Sequence, residues 1–231
     1  MKHLSREDWG AKPPPKGKFD RLNPARVAGV VIHHSGVENG PRGSDAVKAF
    51  ERHHMGKGWD GIGYNWLVDE TGNIYEGRGW GNRGAGTKGW NSRSISVCFT
   101  GWGFKSVPEK SLESLKIIVE AAEAYFGKGL WVSTHRKKAK AGYTTCPGDW
   151  LGDWVENGMG TSQAPDRVDW AAIIQFFKDL HEQVKKTSLS RPSRSRGLPV
   201  RLVQGKLAER GFKPGPVDGV YGKKTGDAVR E

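Results

Sequence analysis

The stretch Ala28-Gly29-Val30-Val31-Ile32-His33-His34-Ser35 decides how this chain is read. A short β-branched run that ends in polar residues reads as a buried strand delivering two imidazoles at its end. Neighbouring strand residues point to opposite faces, so His33 and His34 cannot both bind one ion while the strand stays regular. Alternation does not say which of the two would do so.

Downstream, Ser44 to His54 is a helix expectation, with Val47, Phe50 and His54 along one face. Tyr64 to Val68 reads as a second strand, Asp69-Glu70-Thr71-Gly72-Asn73 as a turn and Ile74-Tyr75-Glu76 as the returning arm of a hairpin. Gly77 to Asn91 is rich in Gly, Arg and Trp without either period, which marks a long surface loop of the kind that carries function. Ser94 to Phe99 is a third strand. Leu112, Leu115, Val119, Ala122 and Phe126 recur at helical spacing, and a second such helix is expected from Val168 to Lys186. Strands alternating with one-sided helices predict an α/β fold, a mixed central β-sheet flanked by α-helices.

After Lys186 the character changes. Residues 187–198 read as a basic Ser/Arg/Pro linker, and residues 199–231 as a small, incomplete helical unit in which Val200, Val203 and Leu207 share a face. The expected parts are therefore 1–186, 187–198 and 199–231.

With 231 residues, 35% of them hydrophobic, and ten tryptophans, a core can form without disulfide staples. The two cysteines, Cys98 and Cys146, read as a buried thiol or a metal ligand before a disulfide framework. Cys98 lies mid-strand among apolar residues, as a small core hydrophobe does. A net charge of +12 calls for a polyanionic partner such as nucleic acid, an anionic membrane or a cell wall. No zinc finger, RNA-binding sheet motif or helix-turn-helix accompanies the charge, so nucleic acid is not expected. No stretch is long enough to span a bilayer, and Met1 to Trp9 holds no apolar run of a secretory kind, so the expected location is the cytoplasm.

Besides the histidine pair, His135 in Ser133-Thr134-His135-Arg136 and Cys146 in Tyr143-Thr144-Thr145-Cys146-Pro147-Gly148-Asp149 stand at strand or loop edges. Two imidazoles and one thiolate leave a fourth tetrahedral position open, as catalytic zinc sites do.

Taken in order, Arg6 to Ala11, Val31-Ile32-His33-His34-Ser35, Gly63-Tyr64-Asn65, Ile74 to Trp80, Trp90-Asn91-Ser92, Ser94-Ile95-Ser96-Val97 and Cys146-Pro147-Gly148 resemble the peptidoglycan recognition protein and phage amidase superfamily, the type 2 N-acetylmuramoyl-L-alanine amidases. The resemblance spans most of the first ~150 residues as ordered motifs. It implies a Zn2+ enzyme with His33, His135 and Cys146 as metal ligands, and it is the resemblance that selects His33 over His34. It further implies catalytic roles for Tyr64 and Thr144, and contacts with the substrate for His34, Ser35, His54 and Lys57. The implied reaction is hydrolysis of the amide between N-acetylmuramic acid and L-alanine in bacterial peptidoglycan. The alternative is a family member that binds peptidoglycan without cutting it.

Two departures bear on specificity. Where relatives commonly read Gly-Ala-His, this chain reads Gly84-Ala85-Gly86, and the family's Asp before Ile is here Gly61, with Asp60 one step earlier. The tail, with Val203-Gln204, Leu207, Gly211-Phe212, Val217-Asp218-Gly219 and Tyr221-Gly222, resembles the first half of a small peptidoglycan-binding domain. Together these features lead to the expectation of a monomeric phage endolysin, held in the cytoplasm until a holin-type lesion releases it to the wall.

Overall fold

The computed structural model describes residues 1–160. The helix expected at Val168 to Lys186, the linker 187–198 and the unit 199–231 lie outside the described residues.

Six strands form one mixed sheet: β1 (His3–Leu4), β2 (Gly29–His34), β3 (Trp66–Val68), β4 (Ile74–Glu76), β5 (Ser94–Phe99) and β6 (Trp131–Thr134), in the spatial order β1-β4-β3-β5-β2-β6. Only β3 and β4 pair antiparallel, as a hairpin; the other four pairings are parallel. Helices α1 (Gly43–Gly56), α2 (Glu109–Phe126), α3 (His135–Lys138) and α4 (Asp149–Glu156) flank it. The α/β architecture expected from the sequence is the one observed.

Every residue of β2 is buried, because β2 lies between β5 and β6 and is covered on both sides. Gly29 is required there: a Cβ would meet the ring of Trp131 at 2.1 Å, so only glycine lets the two paired residues lie side by side. Register fixes which face each side chain takes. Tyr75, Leu67, Cys98 and His33 are partners across β4, β3, β5 and β2, and so they share one face. Tyr75, Leu67 and Cys98 pack there with Val47 of α1, Trp9 and Ile62. Each fully buried aliphatic side chain of this kind contributes about 1.5–3 kcal/mol. His33 continues that row at the carboxyl end of β2.

The second strand begins at Trp66, two residues later than the pattern suggests, because the Asn65 side chain takes the place of ladder bonds. Its Oδ1 accepts from Ser96 N–H at 2.9 Å, and its Nδ2 donates to the carbonyls of Gly79 (2.7 Å) and Asn82 (2.8 Å). In the hairpin turn, Asp69 accepts from the backbone N–H groups of Thr71 and Asn73, both at 2.9 Å, and from the Tyr75 hydroxyl at 2.8 Å. Gly72 has φ +81°, the left-handed value such a turn needs. The four-residue α3 was not anticipated, and neither were three further elements. β1 has two residues and β6 is an edge strand of four with three half-buried positions, both too short to show alternation; α4 is only two turns long.

Candidate metal centre

The parallel register Ile32↔Thr134 brings the ends of β2 and β6 level, so that the next residue of each, His33 and His135, stands on the same side. Their ring centroids are 4.7 Å apart. Cys146 arrives from the loop between α3 and α4, held by Arg136 N–H donating to the Cys146 carbonyl at 2.8 Å. The ligand atoms of His33, His135 and Cys146 all lie within 4.8 Å of one another, and this is the one such group of metal-binding side chains among the described residues. Cys146 Sγ is 3.7 Å from His33 Nδ1. One tetrahedral zinc with ordinary bond lengths sets a nitrogen and a sulfur about 3.6 Å apart, so the donor set fits the ion.

Electrostatics suit the same use. Burial, then the charges of His135 and His34, hold the His33 pKa well below the ordinary imidazole range, and burial lowers His135. Both rings therefore keep a lone pair at neutral pH. Burial pushes the Cys146 thiol up to about 12, opposed by the His34 backbone N–H, which donates to Sγ at 3.4 Å. A cation that binds must displace that proton, and the N–H then stabilises the thiolate.

Tyr64 packs its ring against His33 (centroids 5.3 Å) and His54 (5.5 Å). Burial, then the neighbouring Cys98 and Cys146, raises its pKa well above the phenol value. Cys98 is what its setting predicts, a fully buried member of the core. The Thr144 hydroxyl accepts from Cys146 N–H at 3.1 Å and so shapes the loop that carries the sulfur.

The remaining expected site residues lie apart from this cluster. The His34 ring is on the opposite face of β2, against Trp102 and Phe104, with Nδ1 accepting from Gly103 N–H at 3.0 Å; burial takes its pKa down to about 4. It is the backbone of His34, not its ring, that reaches Cys146. The Ser35 hydroxyl is shared between the carbonyls of Thr100 (2.9 Å) and Gly101 (3.0 Å), tying the ends of β2 and β5 together. His54 stacks on Trp59 at 4.6 Å, and its Nδ1 accepts from Gly63 N–H at 3.2 Å. Lys57 is exposed just past the end of α1.

Two contributors escaped the sequence reading. Thr87, fully buried, places its hydroxyl 3.1 Å from His33 Nε2. Nothing in the irregular stretch from Gly77 to Asn91 marks it. Arg136 spreads its guanidinium over Asp149 (3.0 Å), Asp153 (2.7 Å) and Glu156 (2.9 Å), clamping α3 to α4 on either side of the loop that carries Cys146. The 149, 153, 156 spacing of the acids is a helical stripe and could have been found. Gly152 faces the same guanidinium, where a Cβ would come within 2.7 Å of it.

Comparison with known proteins places these motifs in company. The N-acetylmuramoyl-L-alanine amidase family matches residues 23–149, and a peptidoglycan binding domain family matches residues 196–231. Peptidoglycan-recognition protein 1 of Holotrichia diomphalia is 28% identical over 171 residues, covering 70% of this chain and 83% of that protein. Peptidoglycan-recognition protein SC1a of Drosophila melanogaster is 30% identical over 152 residues, covering 63% and 79%. Among solved structures, the ectodomain complex of peptidoglycan recognition proteins LCa and LCx bound to tracheal cytotoxin matches with a TM-score of 0.62 and 31% identity, covering 68% of this chain and 96% of that one. Peptidoglycan recognition protein-LE in complex with tracheal cytotoxin gives 0.61 and 27%, covering 67% and 92%.

Proposed function

Because this chain belongs to the N-acetylmuramoyl-L-alanine amidase family, we propose that it hydrolyses, with zinc, the amide joining the lactyl group of N-acetylmuramic acid to the L-alanine of bacterial peptidoglycan. The observation that carries this reading is the convergence of the His33, His135 and Cys146 ligand atoms within 4.8 Å.

When bound, zinc supplies Lewis acidity that polarises the scissile carbonyl and makes an attacking water more acidic. The chain's own groups do the rest. Tyr64, kept protonated by burial, offers a phenolic O–H on the side of His33 and Cys146. Its hydrogen can be donated to the oxygen that develops negative charge when the amide is attacked. Thr144, through Cys146 N–H, and Arg136, through the Cys146 carbonyl, hold the sulfur's loop in place. Water is excluded from the His33 side, since Tyr64, Thr87 and Cys98 pack around it.

The match at residues 196–231 supports a wall-binding role for the C-terminal part, with catalysis in residues 1–186. The charge of +12 fits attraction to an anionic wall. A wall-cutting and a wall-binding part in one chain support a bacteriolytic role of the endolysin type. Relatives solved with tracheal cytotoxin, a monomeric diaminopimelic acid-type peptidoglycan, support a muropeptide as the ligand class.

Digestion of purified peptidoglycan by the zinc-loaded full chain should release new L-alanine amino termini, and a chelator should abolish the release. Wall binding that ignores the chelator, with no amino termini formed, would replace the amidase by a recognition protein of the kind its relatives are named for.

A further inference from the structure

A neutral imidazole has one N–H and one lone pair, and the partner of one nitrogen decides what the other can do. His33 presents Nδ1 to Cys146 Sγ at 3.7 Å and Nε2 to the Thr87 hydroxyl at 3.1 Å. We infer that Thr87 is a positioning residue: its Oγ1 accepts the Nε2–H of His33, which leaves the Nδ1 lone pair aimed at the space shared with His135 and Cys146. This inference rests on the metal reading above and extends it to a residue outside the ligand set.

The hydroxyl is held where this requires. Thr87 N–H donates to Asn91 Oδ1 at 2.8 Å, and the Thr87 carbonyl accepts from the N–H groups of Trp90 (3.0 Å) and Asn91 (3.1 Å). The loop is thus closed on both sides of the residue, and Thr87 is wholly buried, so no bulk water competes for Nε2. The preceding residue leaves room: a Cβ at Gly86 would lie 3.1 Å from His33 Nε2 and 2.9 Å from Ser96 Oγ, crowding the ring from behind. The opposite polarity, with Thr87 donating to Nε2, would place the N–H on Nδ1 and turn it towards the sulfur, closing the coordination site. The two tautomers therefore differ in metal uptake, and Thr87 selects between them.

The test uses the full chain in two measurements. Long-range proton–nitrogen NMR of the zinc-free protein reads the His33 tautomer, and competition with a chromophoric chelator reads zinc affinity. Wild type should carry its proton on Nε2. Thr87→Val should weaken zinc binding by about 10- to 100-fold, and Thr87→Ser, which keeps the hydroxyl, should restore it to near the wild-type value. Wild-type zinc affinity in a folded Thr87→Val protein, or a wild-type His33 protonated on Nδ1, overturns the inference. The tautomer measurement needs no variant, so it decides even if Thr87→Val does not fold. A wild type that takes up no zinc overturns the metal reading instead, and its tautomer still settles the role of Thr87.

Discussion

Two polar clusters in this molecule are built on opposite principles. At the hairpin turn, Asp69 collects five donors: the Thr71 and Asn73 backbone N–H groups, the Thr71 and Tyr75 hydroxyls and the Asn73 amide. At the ends of β2 and β6, three groups with lone pairs to give, two imidazoles and a sulfur, face each other instead. Acceptors surrounded by donors form a finished structural element. Lone pairs that share one displaceable thiol proton take up their full set of bonds only when a cation arrives, and that asymmetry is what marks the second cluster as a place for chemistry.

The sharpest way to break the comparison is Cys146→Ala. Removal of one of three proposed ligands should abolish stoichiometric zinc and lower the proposed amidase turnover by at least roughly 10³-fold, the equivalent of about 4 kcal/mol of lost transition-state stabilisation. Zinc-free stability should move by less than about 1 kcal/mol, since no donor is stranded except the His34 N–H. Metal analysis, turnover and urea unfolding with and without zinc read all three. Retained zinc and turnover would remove the assignment of Cys146.

Asp69→Ala should do the reverse. It strands the donors of Thr71, Asn73 and Tyr75 in a turn where Asp69 and Tyr75 are both buried, at a cost of about 3 kcal/mol. Turnover per folded, zinc-loaded molecule should be unchanged, because the turn lies away from the ligands. Burial alone would raise the carboxyl pKa of Asp69, but the bonds from Thr71, Tyr75 and Asn73 bring it below its ordinary value. A drop in specific activity that matches the drop in stability would show the two clusters to be coupled.

How much of this was legible in the sequence follows from range of interaction. β5 ran from Ser94 to Phe99 as expected, and β2 and α1 came within one or two residues at each end, because their signals are local: a β-branched run, an apolar stripe. His135 and Cys146 stood out as residue types at element edges, and the family resemblance joined them to His33. What the sequence concealed is nonlocal. Asn65 cuts β3 short through bonds to Ser96, Gly79 and Asn82, up to 31 residues away. Thr87 acts on His33 across 54 residues from an aperiodic loop. The environments of His34 and Ser35 are likewise set by the turn after β5, so alternation alone could not say what their side chains would meet.

His54 lies between the two principles and supplies the gentlest test. It is a buried imidazole with Nδ1 spent on Gly63 and its ring stacked on Trp59, and burial first, then His53, Lys57 and Arg78, takes its pKa down to about 4. In the unfolded chain the same ring titrates near 6.5. Between those values the unfolded state binds a proton that the folded state refuses, so stability is full above about pH 6.5 and falls as pH drops towards 4. The loss reaches on the order of 2–3 kcal/mol at the lower end and about 1 kcal/mol near pH 5.5. His54→Gln keeps an acceptor for Gly63 N–H and removes the titration. Urea unfolding at pH 7 and pH 5.5 should therefore show a smaller acid loss in the variant than in wild type, by about 1 kcal/mol. Equal losses would mean that His54 is already charged when folded, and that it belongs with the groups exposed to solvent rather than with the satisfied interior.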